Sequence, residues 1–123
     1  MALKFISDQM AALGILYEFG EWTSDVKYPY FVGEITEEPT TTEDGLEEST
    51  LILTGFNRGK YIDLDTVKNK IKQHFSPICG LCAATDSGSI VVFFDGSFYV
   101  PTGEADLKKI QINLKIKQWK GAV

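Results

Sequence analysis

The apolar positions mark two helical stretches and five extended ones. Leu3, Ile6, Met10, Leu13 and Tyr17 recur at helical spacing, with Lys4, Asp8, Gln9 and Glu18 between them. This predicts a first amphipathic helix of about four turns, ending near Phe19-Gly20. Pro29 opens an extended stretch from Tyr30 to Ile35, since proline is tolerated at a strand's first residue. Glu37 to Glu48 holds Pro39, three consecutive threonines, Asp44-Gly45 and one apolar residue, Leu46. It predicts a mobile acidic connection, a long hairpin loop with nothing to anchor a core. Ser49 to Phe56 reads as a strand, with Leu51 and Leu53 on one face and Ile52 on the other.

Asp63 has the chemistry of an N-cap, its carboxylate able to accept from the amides that open a helix. Leu64, Val67, Ile71 and Phe75 then share one stripe, with Lys68, Lys70 and Lys72 away from it, until Pro77 stops the helix. Ile90 to Phe94 and Ser97 to Val100 flank Asp95-Gly96, a pair that favours a two-residue primed turn and so predicts a hairpin. The last element alternates. Ile110, Ile112, Leu114 and Ile116 point one way, and Gln111, Asn113, Lys115 and Lys117 the other. The expected fold is a single α+β domain over residues 1–123. It has a mostly antiparallel sheet of about five strands, with two helices packed on one face.

At 123 residues and 44% hydrophobic, the chain has enough apolar side chains for one core. The longest apolar run, Ile90 to Phe94, is too short for a transmembrane helix. With acidic Asp8 and no cleavage-like end near the N-terminus, the expectation is a cytoplasmic chain with no membrane partner. A net charge of −5 disfavours binding to a nucleic-acid duplex. The charge is unevenly spread. Residues 1–66 carry thirteen Asp and Glu against four Lys and Arg, a net of −9, while residues 67–123 carry a net of +4. One copy could attract another through such ends, although two solvated faces of a monomer would look the same.

Candidate catalytic chemistry is sparse. Cys79-Gly80-Leu81-Cys82 has redox spacing. A reactive thiolate, however, sits at a helix N-terminus after a strand, and this pair follows a helix and a proline. Two buried structural thiols in a connection are expected instead, with a small thiol-redox protein as an alternative. Gly55-Phe56-Asn57-Arg58-Gly59-Lys60 has three residues between its glycines where a phosphate loop needs four, and Tyr61 follows the lysine in place of a hydroxyl-bearing Ser or Thr. His74 is the only histidine and has no nucleophile at a suggestive spacing. The acids of the 37–48 stretch lack calcium-loop spacing. No catalytic residue, cofactor or metal ligand is assigned.

The chain as a whole resembles the tail terminator proteins of long-tailed bacteriophages and prophages, the lambda-type proteins that cap the tail tube. The likeness lies in Tyr28-Pro29-Tyr30-Phe31-Val32-Gly33-Glu34, the acidic Glu43-Asp44-Gly45 insertion and Leu51-Ile52-Leu53-Thr54-Gly55-Phe56. It continues in the 64–75 helix, Pro101-Thr102, Leu107-Lys108-Lys109-Ile110-Gln111-Ile112 and Lys117-Gln118-Trp119, and so spans roughly residues 28 to 119. The resemblance implies a non-enzymatic α+β subunit of a ring, typically six-fold, at the head-proximal end of the tail tube. There it would end tube growth and offer the head-joining surface. Its partners would be itself, the tail tube protein and head–tail connector proteins. DNA would pass through the ring without sequence-specific contact. The subunit would assemble in the host bacterial cytoplasm and reside in the virion tail. Another head–tail connector or tail-completion protein is the nearest alternative. Glu37, Glu38, Glu43, Asp44, Glu47 and Glu48 of one subunit against Lys115 and Lys117 of the next are the candidate contacts, since complementary charge selects partner and register.

Overall fold

In the computed structural model the described residues are 2–21, 25, 27–41, 46–85, 88–104 and 106–120. The chain runs α1 (Ala2–Ala12), β1 (Tyr17–Phe19), β2 (Tyr30–Thr41), β3 (Leu46–Arg58), α2 (Tyr61–His74), β4 (Leu81–Thr85), β5 (Gly88–Val100) and β6 (Leu107–Lys120). Six strands form one sheet in the order β1-β2-β3-β6-β5-β4, antiparallel except for the parallel β1–β2 pair. The α+β class is therefore as expected, with six strands rather than five.

The inner face of the sheet and the two helices share one core. Phe31, Leu51, Leu53, Val92, Ile110, Ile112, Leu114 and Ile116 are fully buried with Ile6 and Met10 of α1, Leu64 and Ile71 of α2, and Phe75. The alternation along β6 sorts as its pattern predicts. Its four aliphatic side chains have no solvent exposure, while Gln111, Asn113, Lys115 and Lys117 are half-buried on the other face. A Gln9 Oε1 to His74 Nε2 contact of 2.6 Å ties α1 to α2.

Five local expectations are corrected. The first helix stops at Ala12, not near Gly20. Gly14 takes a left-handed φ of 72°, and Ile15 N–H donates to the Met10 carbonyl, closing the helix with a glycine that needs no Cβ. Tyr17, which kept helical spacing, instead lies in β1 opposite Phe31. Asp63 is not the N-cap. Lys60 occupies that position without a side-chain bond, and Asp63 in the first turn accepts from Asn57 Nδ2 at 3.3 Å. The buried Asn57 amide also donates to the Lys60 carbonyl at 2.9 Å and so organises the strand-to-helix turn itself.

Asp95-Gly96 does not reverse the chain. Phe94 pairs with Leu114 and Ser97 with Ile112, so two residues of β5 oppose Asn113 alone, a bulge with Gly96 at φ 124°. The extra residue switches faces. Phe94 points inward, and beyond the bulge it is Ser97 and Tyr99 that share a register with inward Ile112 and Ile110. The Glu37–Glu48 stretch is largely strand, since β2 reaches Thr41 and β3 starts at Leu46. Its Glu43 and Asp44 lie outside the described residues. Finally, Cys79 and Cys82 are exposed and free, not buried, and Cys82 belongs to β4.

Tyr17 Oη is buried without a hydrogen-bond partner, and burial pushes its ionisation up to about 12. The neutral phenol is thus favoured by folding. That contribution is complete below the unfolded value of about 10 and is lost as pH rises from there toward 12. Tyr17→Phe should keep or slightly raise stability at neutral pH, because it removes an unsatisfied hydroxyl. It should also flatten the fall in unfolding free energy between pH 10 and 12, measured by denaturant titration. An unchanged alkaline slope would refute this assignment.

Candidate subunit-contact surface

The sheet face turned away from the helices carries the charged candidates. Strand alternation places Glu48, Thr50, Ile52, Thr54, Phe56 and Arg58 of β3 beside Lys117, Lys115, Asn113, Gln111 and Lys109 of β6. Val32 of β2 and Phe93 of β5 flank them, both half-buried although no helix packs on this face. The face is therefore mixed: an apolar ridge of Val32, Ile52, Phe56 and Phe93 with lysines interleaved.

Glu48 lies 3.6 Å from Lys115 Nζ and 3.9 Å from Lys117 Nζ. These are the charges assigned to opposite sides of an interface, and here they meet across β3 and β6 of one chain. All three side chains are only partly exposed, between 24% and 37%, so their attraction is less screened than that of a fully solvated pair. β6 is central, flanked by β3 and β5 along its length, so its lysines are not edge-strand charges. Glu37 is exposed on β2 opposite Ser49. Glu38 lies in β2, its side chain outside the described residues. Glu47 is half-buried opposite Gln118, on the face opposite Glu48. Among the described candidates, Glu48, Lys115 and Lys117 are brought together.

At the other end of the face lies a group that the charge pattern alone did not reveal. Tyr30 stacks on Phe56 with ring centroids 5.2 Å apart, and Tyr28 packs on Tyr30 at 5.5 Å. Lys109 Nζ sits 5.6 Å from the Phe56 centroid, and Arg58 lies over Tyr28 at the same distance. Arg58 also bonds Asp106 at 2.8 Å, and Glu104 is 3.9 Å away. The hydrogen bonds it donates to Tyr28 and Asp106 hold its guanidinium above the usual arginine range. Burial, then the Tyr28 phenol, raises Tyr30, against a smaller lowering by Arg58. The signal was present in the sequence as Tyr28-x-Tyr30, leading into β2, and Phe56-x-Arg58, at the end of the adjoining β3.

On the helix side, Tyr61, Ile62, Asp65, Tyr99 and Pro101 line an open cavity of about 560 Å³. Tyr99 Oη donates to Asp65 Oδ1 at 2.9 Å, and Lys68 lies 2.9 Å from the same oxygen. Lys68, with help from Tyr99, holds the Asp65 carboxyl below its ordinary range. Burial, followed by the bond to Asp65, pushes Tyr99 up to about 12. The carboxylate is thus already satisfied by its own neighbours and leaves a mainly apolar, aromatic hollow.

Among the described residues, no three His, Cys, Asp or Glu side chains converge as a metal set, and no helix is long and apolar enough to cross a membrane. No family model matches this sequence, and no curated protein matches it.

Proposed function

We propose that this chain is a structural, non-enzymatic subunit of a phage or prophage tail, of the tail-terminator kind. It would form a ring that ends tube growth and meets the head. The observation that carries the reading is the helix-free sheet face, where half-buried Val32, Ile52, Phe56 and Phe93 share a surface with half-buried Lys109, Lys115 and Lys117 and with Thr, Asn and Gln side chains. The likeness of residues 28–119 to that family and the α+β architecture agree with it. In this proposal the subunit contacts itself as a hexameric ring, the tail tube protein and a head–tail connector. It assembles in the bacterial cytoplasm, and DNA passes through the ring. A connector or tail-completion role would use the same face. A thiol-redox role for Cys79 and Cys82 gains little support, because the pair leads from a turn into strand β4 and not into a helix.

Native mass spectrometry of the purified chain, with electron microscopy of mixtures with tail tubes, tests the proposal. A closed ring near six copies, seated at one tube end, is expected. A chain monomeric at all concentrations that leaves tube ends bare would overturn it. Lys115→Glu with Lys117→Glu sharpens the test. The double reversal leaves three carboxylates on adjacent strands and should cost about 1 kcal/mol of monomer stability, with Glu48→Lys in that background recovering it. Ring formation should be lost in the reversed chain, most clearly at low salt. Normal assembly there would exclude this face as the contact.

A further inference from the structure

We propose that β4 is a homotypic docking edge, at which two copies of this chain pair antiparallel through Leu81–Thr85 and continue the sheet across a two-fold axis. The proposal does not depend on the ring.

The six-stranded sheet has two edges, and they differ. β1 is three residues long and ends at Phe19, and the N–H of the following Gly20 goes to the Gly33 carbonyl. β4 pairs with β5 over its whole length, from Leu81 opposite Val92 to Thr85 opposite Gly88, without a register shift. Among the described residues no other backbone bonds to it, so every second amide and carbonyl of β4 points outward. An edge in that state is normally defended by lysine, proline or a bulge, and β4 has none of the three.

The occupant follows from charge and side-chain size. The chain carries −5, so two copies repel except where the contact is uncharged. Residues 76–85 contain no Asp, Glu, Lys or Arg. Cys82 and Ala84 are exposed and small, so a second backbone can approach to hydrogen-bonding distance. Leu81 and Ala83, on the opposite face, are half-buried against the core. In an antiparallel pair centred on Ala83, Ala83 would meet its own copy and Leu81 would fall opposite Thr85 of the second copy, so the inner face continues across the junction without charge. Ile78, 86% exposed just before the strand, adds apolar surface beside it. Pairing on this edge alone closes at two and cannot propagate, since β1 offers no comparable edge. A five-residue strand pair lies well below the roughly 1,200 Å² of a standard stable interface. The association is therefore weak and concentration-dependent.

Sedimentation of the full chain from micromolar to millimolar concentration should show mass doubling: monomer to dimer, or ring to double ring. Ala84→Lys should weaken this by about tenfold or more while circular dichroism and melting temperature stay unchanged. Cys82→Lys serves the same purpose if the first variant folds poorly. Three results would each overturn the proposal: no doubling at millimolar protein, doubling insensitive to both lysine variants, or amide protection of β4 only when another tail protein is added. A ring that still forms in Ala84→Lys leaves the ring reading standing, so the two proposals fail separately.

Discussion

Gly55→Ala should lower the unfolding free energy by about 3 kcal/mol, read as a shift of the denaturant midpoint at unchanged slope. Gly55 lies in β3 opposite Phe31 of β2, and the Phe31 ring lies flat across it with no solvent exposure. A Cβ at this position would lie 2.6 and 2.8 Å from two Phe31 ring carbons and closer still to a third. Glycine in a strand ordinarily costs about 0.5–1 kcal/mol relative to alanine, so the substitution would stabilise an open site. Here the overlap reverses the sign, because Phe31 is fully buried in the core and has no open space into which to withdraw. Phe31→Leu should itself be mildly destabilising, yet in the Gly55→Ala background it should restore part of the loss. If the two changes simply add, the close approach of ring to backbone is not what fixes glycine there.

Phe75→Ala should cost about 3–5 kcal/mol, enough to leave a domain of ordinary stability partly unfolded at 37 °C. Phe75 is the C-cap of α2 and fully buried. Its N–H donates to the Ile71 carbonyl at 2.9 Å, and its carbonyl accepts from Phe94 N–H at 2.8 Å. The end of the helix is thereby fastened to β5 just before the bulge. Phe75→Leu keeps most of the volume and should lose less than about 1.5 kcal/mol. A loss below 1 kcal/mol for the alanine variant would mean that the site collapses without a cavity and that α2 is held elsewhere.

The elements legible in the sequence were those whose pattern has a single physical source. β6 alternates because one face is core and the other is not, and its four aliphatic positions sort without exception. The stripe through Leu64, Ile71 and Phe75 likewise reports one buried helix face. Tyr17 misled because a parallel strand packing back on the same core supplies an apolar residue where a fifth helical turn would. Asp95-Gly96 misled for a related reason: the preference for positive φ is shared by a hairpin turn and a bulge, and only the continuous partner strand β6 decides between them. Leu81–Thr85 is short and rich in small residues, so its strand character comes from pairing with β5 rather than from propensity. For the contact surface, charge counting found Glu48, Lys115 and Lys117 but not that they belong together in one chain. The aromatic group at Tyr28, Tyr30 and Phe56 was hidden because the segment entering β2 meets the end of β3 only through the register of the two strands.

The central place of β6 also bears on the order in which the molecule can be made. β3 and β5 are neighbours of β6 and not of each other, so the two halves of the sheet share no strand pairing until β6 lies between them. Of all the described strands, β6 is translated last. On the ribosome, the β2–β3 hairpin and the β4–β5 hairpin can each form as residues emerge, but each would present an open strand to its surroundings. Leu46 must wait for Trp119, and Arg58 for Leu107, before the ladder between them can close. Contacts of such sequence separation are slow to form and leave strand edges exposed meanwhile. The chain should therefore depend on chaperone shielding during synthesis more than its size suggests, with folding completed as a late, nearly all-or-none insertion of one strand.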